Sequence, residues 1–386
     1  MKPLHLHVTL AASNQLTMNG SRMTVMLFAA TLGVSPALIG LLAALFGLVS
    51  AFVAVHVGRW IDRAGPRKPI MLASFMVTLG AVVAGVWHEI PALFIAAPLM
   101  GTFNSMFQMT THQTVGRYGK PEDRPANFST QALAMSAATF LGPLLAGMAI
   151  DHVGYSNAFF VMAAFGFAPM VVVWMGLLKF PPMPHHIPTR EQATPVSGWA
   201  LLKDKELKRA YIEAANNNAI WSIWGFMLPL YGHSIALSAT AIGTLAACLS
   251  GGTVLVRAFT IHLVRRYKPW PLIVVSHIMV GLGFFGMPFT QIYSVLVALA
   301  FVMGIGLGLA GPLSTTVMYD ASPPAQVGEV IGLRMTMANL AQTLVPLLSG
   351  AVGAALGVAP VFWAVAACLL GEAWVNRGEF KTRRSS

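Results

Sequence analysis

Charge is what this sequence has least of. Asp, Glu, Lys and Arg make up 10% of its 386 residues, where a soluble domain carries about a quarter. Acids are scarcest: 13 stand against 24 Lys and Arg, while 56% of the residues are apolar. So little polar surface implies a chain embedded in a bilayer rather than a water-soluble globule. Cysteine is nearly absent too. Cys248 and Cys368, both inside apolar runs, can build neither a disulfide framework nor a four-ligand zinc site. No G-x-x-x-x-G-K-S/T stretch is present, so nothing suggests a chain that cradles and hydrolyses its own ATP. No Ser/His/Asp or metal-ligand spacing appears either, which argues against an enzyme and against a metal centre or other cofactor.

What is present in abundance is apolar runs long enough to span, each needing about 20 residues. They fall at roughly 5–32, 36–57, 70–87, 91–115, 127–150 and 157–178, and again at 210–232, 239–262, 271–288, 292–316, 328–352 and 357–376. The expected fold is an all-α membrane protein of twelve transmembrane helices. The first run is too long and too polar for a secretory signal and is expected to remain in the mature chain. All basic residues except Arg22, Arg257 and Arg334 fall at the amino end, in alternate loops, in the central stretch or in the tail, and the six intervening loops carry none. Because Lys and Arg are retained on the cytoplasmic side during insertion, both termini are expected there. A net charge of +11 spread over six separate segments is not a nucleic-acid face.

The chain also repeats itself. Shifted by 203 residues, the stretch from Ser35 to Ala44 falls on Ser238 to Ala247 without a gap, Pro143 on Pro346, Gly147 on Gly350, Gly154 on Gly357 and Asn14 on Asn217. The reading is a duplication: an amino-terminal six-helix bundle (1–178), a cytoplasmic linker (179–209) and a carboxy-terminal six-helix bundle with a short tail (210–386). Parallel six-helix repeats occur in secondary transporters, with the substrate held between the halves. The adjacent His185 and His186 in the proline-rich linker are read as binding no metal.

Between the second and third runs stands Gly58-Arg-Trp-Ile-Asp62-Arg63-Ala-Gly65-Pro-Arg67-Lys68. Gly58 and Gly65 allow a close approach and a tight turn. Asp62 offers a carboxylate to a guanidinium or a helix amino-terminus, and the basic residues suit an anionic lipid surface. The pattern G-x-x-x-D-R/K-x-G-x-R/K-R/K resembles the signature loop of the major facilitator superfamily. The resemblance implies that Asp62 is a conformational latch, locking the two halves on the inner side near the start of the eleventh helix around Gly328. In the second half, Arg265 and Lys268 stand where Asp62 and Gly65 would, so the latch is asymmetric. The stretch Leu141-Gly142-Pro143-Leu-Leu-Ala146-Gly147 resembles the fifth-helix motif of drug:proton antiporters of that superfamily, with Ala138 and Ala146 replacing glycines. Pro143 is expected to bend the helix, and Gly142 and Gly147 to let it pack closely.

Arginine inside a span costs about 2.5–3.5 kcal/mol on insertion scales, so an intramembrane arginine points to a site. Arg22 is the deepest, among Asn14, Gln15 and Asn19; Arg257 and Arg334 stand nearer the inner ends. Asn104 and Gln108 on the fourth helix, Asn217 and Trp221 on the seventh and Asn339 on the eleventh complete the expected substrate-binding set. All acids lie in loops or near helix ends, so a lipophilic cation would lack a counter-ion. The function expected is secondary active transport of a small organic solute, by export of organic anions or amphipathic compounds across a cytoplasmic membrane. The alternatives are an uptake permease for an anionic or neutral metabolite and, behind it, a non-transporting sensor. The partners expected are substrate, membrane lipid and a proton as coupling ion, with the chain a monomer. Glu213, Asp62, His56, His112 and His277 are the titratable groups near the spans, each read as structural.

Overall fold

The computed structural model of the chain describes residues 3–181, 204–321 and 327–377. The linker pair His185 and His186 lies outside them. The described residues form helices joined by tight connections, and no strand occurs among them. In order come α1 (Pro3–Thr31), α2 (Pro36–Ala64), α3 (Arg67–Val86) and α4 (Ile90–Val115). The next stretch, Arg124–Trp174, is helical except at Gly154, where φ 79° and ψ 169° divide it into α5 (124–153) and α6 (155–174). Then follow α7 (Lys205–Ser234), α8 (Ala239–Arg266), α9 (Pro269–Gly286), α10 (Tyr293–Ala321), α11 (Val327–Leu356) and α12 (Val358–Val375). The twelve expected spans thus meet twelve helices among the described residues.

Among the described residues, eight helical segments are long and apolar enough to cross a membrane, the α5–α6 stretch counting as one. α1 and α7 are not among them, because each carries a band of polar side chains: Asn14, Gln15, Asn19 and Arg22 in one, Glu213 and Asn216 to Asn218 in the other. α2 is apolar from Pro36 to Val55 apart from Ser50 and then continues as helix through its arginines. It ends at Gly65, whose φ of 73° lets its N–H bond the Ile61 carbonyl at 3.1 Å. No residue with a Cβ takes that angle without strain, so this glycine makes the turn expected of the signature loop. Gly58 is different: a Cβ there would meet only Met109 at an ordinary 3.6 Å, so the close approach expected of it does not occur.

The duplication is visible in backbone detail. α2 and α8, and α4 and α10, begin 203 residues apart. After α1, Gly33 and Val34 bond Ala30 and Ala29 at 3.1 Å each, a Schellman ending. After α7, Ala236 and Leu237 bond His233 and Gly232 in the same pattern, at 3.1 and 2.9 Å. Gly154 and Gly357 share positive φ values of 79° and 89°.

The chain divides into two compact units. One holds α1 to α6 with residues 228–247; the other holds the remainder of α7 and α8 with α9 to α12. In the first, α1 packs chiefly on the α5–α6 stretch, α3 on α4 and α5–α6, and α2 on α4. In the second, α9 packs on α10 and α12, and α12 on α11. Buried Leu10, Ile61, Ile70 and Phe107 form one core, and Tyr211, Ile273, Leu313 and Val330 belong to the other.

Candidate functional site

Gln15, Asn19 and Arg22 recur at i, i+4 and i+7 and therefore share one face of α1. That face is knitted to its neighbours. Gln108 on α4 donates its Nε2 to Gln15 Oε1 at 2.5 Å, Gln15 donates to Asn19 Oδ1 at 3.2 Å, and Asn19 donates to Thr139 Oγ1 on α5 at 3.4 Å. Beside them Asn14, fully buried, donates to Asn104 Oδ1 at 2.9 Å. Five of the expected substrate-binding residues therefore form one polar patch across α1, α4 and α5.

Arg22 stands at the end of that patch, its guanidinium carbon 5.7 Å from the centre of the Phe46 ring on α2. Its Nε is buried without a hydrogen-bond partner, and among the described residues it forms no ion pair. A guanidinium held over an aromatic face and left short of an acceptor can receive an anion.

The fifth-helix motif explains why α1 sits close enough for these contacts. A Cβ on Gly142 would come within 2.9 Å of the Leu16 carbonyl and 3.0 Å of Asn19 Cβ, so only glycine allows the crossing that brings Asn19 to Thr139. Gly147 lies against the Ala239 carbonyl in the same way. Backbone angles stay helical at Pro143 and leave helical values at Gly154.

The other expected substrate-binding residues lie in the second unit. Asn217 is buried with its Nδ2 unpartnered, and Trp221 follows one turn later, half-buried. Arg334 on α11 is half-buried with its Nε unpartnered, whereas Arg257 on α8 is exposed. The Asn339 side chain lies outside the described residues, as does that of Asp62, so the latch has no geometry to report. Arg63, Arg67 and Lys68 are exposed, and Arg67 donates to the Trp174 carbonyl at 3.4 Å.

Three arrangements were not foreseen from sequence. Asp151 accepts the N–H groups of Ala239 at 3.1 Å and Thr240 at 2.7 Å, capping the start of α8. Beyond the end of α4 the Tyr118 hydroxyl donates to the Lys179 carbonyl at 3.2 Å and lies 3.2 Å from His7 Nδ1; burial pushes its pKa well above the usual phenol range, so it keeps its proton. Glu213, His277 and Glu372 converge from three helices. A repeat-aware reading would have flagged the last group, because the matching positions 203 residues earlier are Leu10, Ser74 and Pro169.

Known proteins agree with this architecture. The Major Facilitator Superfamily profile matches residues 8–292 and 214–377. The uncharacterized MFS-type transporter YfkL of Bacillus subtilis is 27% identical over 323 residues, covering 78% of this chain and 76% of its own. The multi-drug resistance efflux pump PmrA homolog of Lactococcus lactis is 24% identical, covering 78% and 75%. Among solved structures, a variant of the nucleoside transporter NupG superposes with a TM-score of 0.78 at 16% identity, over 98% of this chain and all of that one. With the signature loop and the two-fold repeat, these matches place the chain in the major facilitator superfamily, as a multi-pass membrane transporter and not an enzyme.

Proposed function

We propose that the protein exports organic anions or amphipathic compounds across a cytoplasmic membrane by alternating access, with Arg22 as the counter-charge. The observation that carries this reading is the state of Arg22: half-buried at the end of a connected polar face, its Nε buried without a hydrogen-bond partner, and without an ion-pair partner among the described residues. An unneutralised guanidinium in a membrane helix is costly and is offset when an anionic ligand arrives. The likeness to a multidrug efflux pump supports export over uptake. The working units are the bundles 1–178 and 210–386 joined by 179–209, with Asp62 as an inner latch, both termini cytoplasmic, a monomer as the unit and a proton as the coupling ion.

The test uses the purified protein in vesicles loaded with carboxyfluorescein as the anionic probe and ethidium as the cationic one. Arg22→Ala is expected to slow carboxyfluorescein movement at least about tenfold, a factor equivalent to about 1.4 kcal/mol, with Arg22→Lys intermediate. Equal anion rates in the parent and Arg22→Ala would remove Arg22 from the site.

A further inference from the structure

The second unit contains a cluster that the transport reading does not use. Glu213 on α7, His277 on α9 and Glu372 on α12 each place a donor atom within 4.8 Å of the other two. His277 Nε2 lies 2.6 Å from Glu213 Oε2, and Nδ1 lies 3.8 Å from Glu372 Oε2. The side chains of Glu213 and His277 are 0% and 2% exposed, and that of Glu372 is 14% exposed. At 2.6 Å His277 and Glu213 stand at hydrogen-bonding distance, and the two carboxylates face different ring nitrogens. Asn216, one turn beyond Glu213, donates its Nδ2 to Glu372 Oε2 at 2.5 Å.

The fold does not require this cluster. At the same level of the first half, Leu10, Ser74 and Pro169 occupy the matching positions, and the Ser74 hydroxyl is satisfied by the Gly166 carbonyl at 2.5 Å. Nor does the cluster alone hold its three helices in register. Farther along the same helices, Trp224 meets Phe284 edge-on at 6.4 Å, and Phe284 meets Phe362 at 5.6 Å. The donors are therefore converged by apolar packing, which is how a site is preorganised.

We propose that Glu213, His277 and Glu372 bind one divalent transition-metal ion of the Mn²⁺, Fe²⁺, Co²⁺ or Zn²⁺ type. A mixed imidazole and carboxylate set suits those ions. One ion takes one ring nitrogen of His277, and ligand bonds of about 2.0–2.2 Å hold its donors roughly 3.0–4.2 Å apart. The ring must therefore turn so that a single nitrogen faces both carboxylates, each of which already offers an oxygen within 4.8 Å. A divalent ion with a neutral imidazole leaves no net charge buried beside the two carboxylates, whereas a single shared proton leaves one negative charge and a second proton is needed to match the ion. Asn216 orients Glu372 from outside the coordination sphere. The site stands independently of the cargo and direction of transport.

The chelator-treated, tag-free, full-length protein in detergent, titrated with Co²⁺ alone and then with Zn²⁺, tests this assignment. The parent is expected to take up one Co²⁺ per chain with visible d–d absorption that Zn²⁺ abolishes, and to unfold at a higher temperature with Zn²⁺. Glu372→Gln and His277→Gln are expected to lose at least about 100-fold in affinity, and Asn216→Ala, which keeps all three ligands, about 10–100-fold. Asn216→Ala keeps the test decisive should either ligand variant fail to elute as a single folded species. Absence of saturable Co²⁺ uptake by the parent overturns the proposal, as does unchanged affinity in folded Glu372→Gln. A parent whose melting temperature responds to pH but not to Co²⁺ or Zn²⁺ holds protons there, and that result also overturns it.

Discussion

Ala236 holds a backbone angle of φ 56°, the one non-glycine residue at positive φ among the described residues, while its repeat counterpart Gly33 takes 71°. Left-handed backbone costs an L-residue about 1–2 kcal/mol, and replacing Ala with Gly returns about 0.4–1 kcal/mol to the unfolded chain as entropy. The strain wins, so Ala236→Gly should stabilise by about 0.5–1 kcal/mol and Gly33→Ala should destabilise comparably. Since a Cβ on Gly33 would meet nothing within 4 Å, the effect there is backbone strain without a clash. Melting temperatures in detergent check both signs. At this scale the sequence was unevenly legible. Arg22 stood out because a charge amid apolar neighbours is conspicuous, and its companions on α1 followed from helical spacing. Glu213, His277 and Glu372 did not stand out as a group, because Glu213 and Glu372 sit towards helix ends, where an acid is ordinary, His277 is a lone histidine in the middle of α9, and no spacing rule links three helices.

Elements pack here through paired glycines. On α4, a Cβ at Gly101 would collide with the backbone carbonyl of Phe46 on α2; on α10, Gly304 faces the carbonyl of Leu249 on α8 in the same way. Both residues of each pair are 203 positions from their counterparts, so the two crossings are one inherited contact. A carbonyl cannot rotate aside, and the helices must part to admit even a methyl group. Gly101→Ala and Gly304→Ala are each expected to destabilise by about 1–3 kcal/mol, to similar extents. Gly371→Ala, where a Cβ meets nothing within 4 Å, should be neutral or mildly stabilising because alanine is the better helix former. Unequal losses at Gly101 and Gly304 would show that the crossings no longer bear equal load. Helix number and most boundaries were legible because lipid demands long apolar runs, and the repeat supplied the register. Apolarity stops short of the true ends of α2 and α8, since a helix continues through arginines once its backbone bonds are made. The α5–α6 turn was expected over several residues and takes one, because Gly154 reverses the backbone by itself.

For the whole molecule the open quantity is orientation, and charge is the physical handle on it. Twelve crossings would return both ends to one side, and the positive-inside expectation puts every Lys or Arg outside the spans on that same side. Each positive charge on the wrong side of a 100 mV potential costs about 2.3 kcal/mol, so charges shared among six segments oppose inversion far more strongly than any one loop could. Cysteine mapping reads this directly, once Cys248 and Cys368, half-buried and exposed respectively, are replaced by serine. In intact cells an impermeant maleimide should label Glu89→Cys, between α3 and α4, and Gln291→Cys, between α9 and α10. Lys68→Cys and Lys120→Cys should react only after the membrane is opened. All four positions are exposed, so failure to label reports sidedness rather than burial. Labelling of Lys68→Cys from outside would invert the molecule and turn the proposed latch loop away from the cytoplasm. A mixed pattern, with Glu89→Cys and Lys120→Cys both reached from outside, would instead mean that α4 does not cross. Asn104 and Gln108 would then lose their place beside Asn14 and Gln15, and the polar face around Arg22 could not form as described.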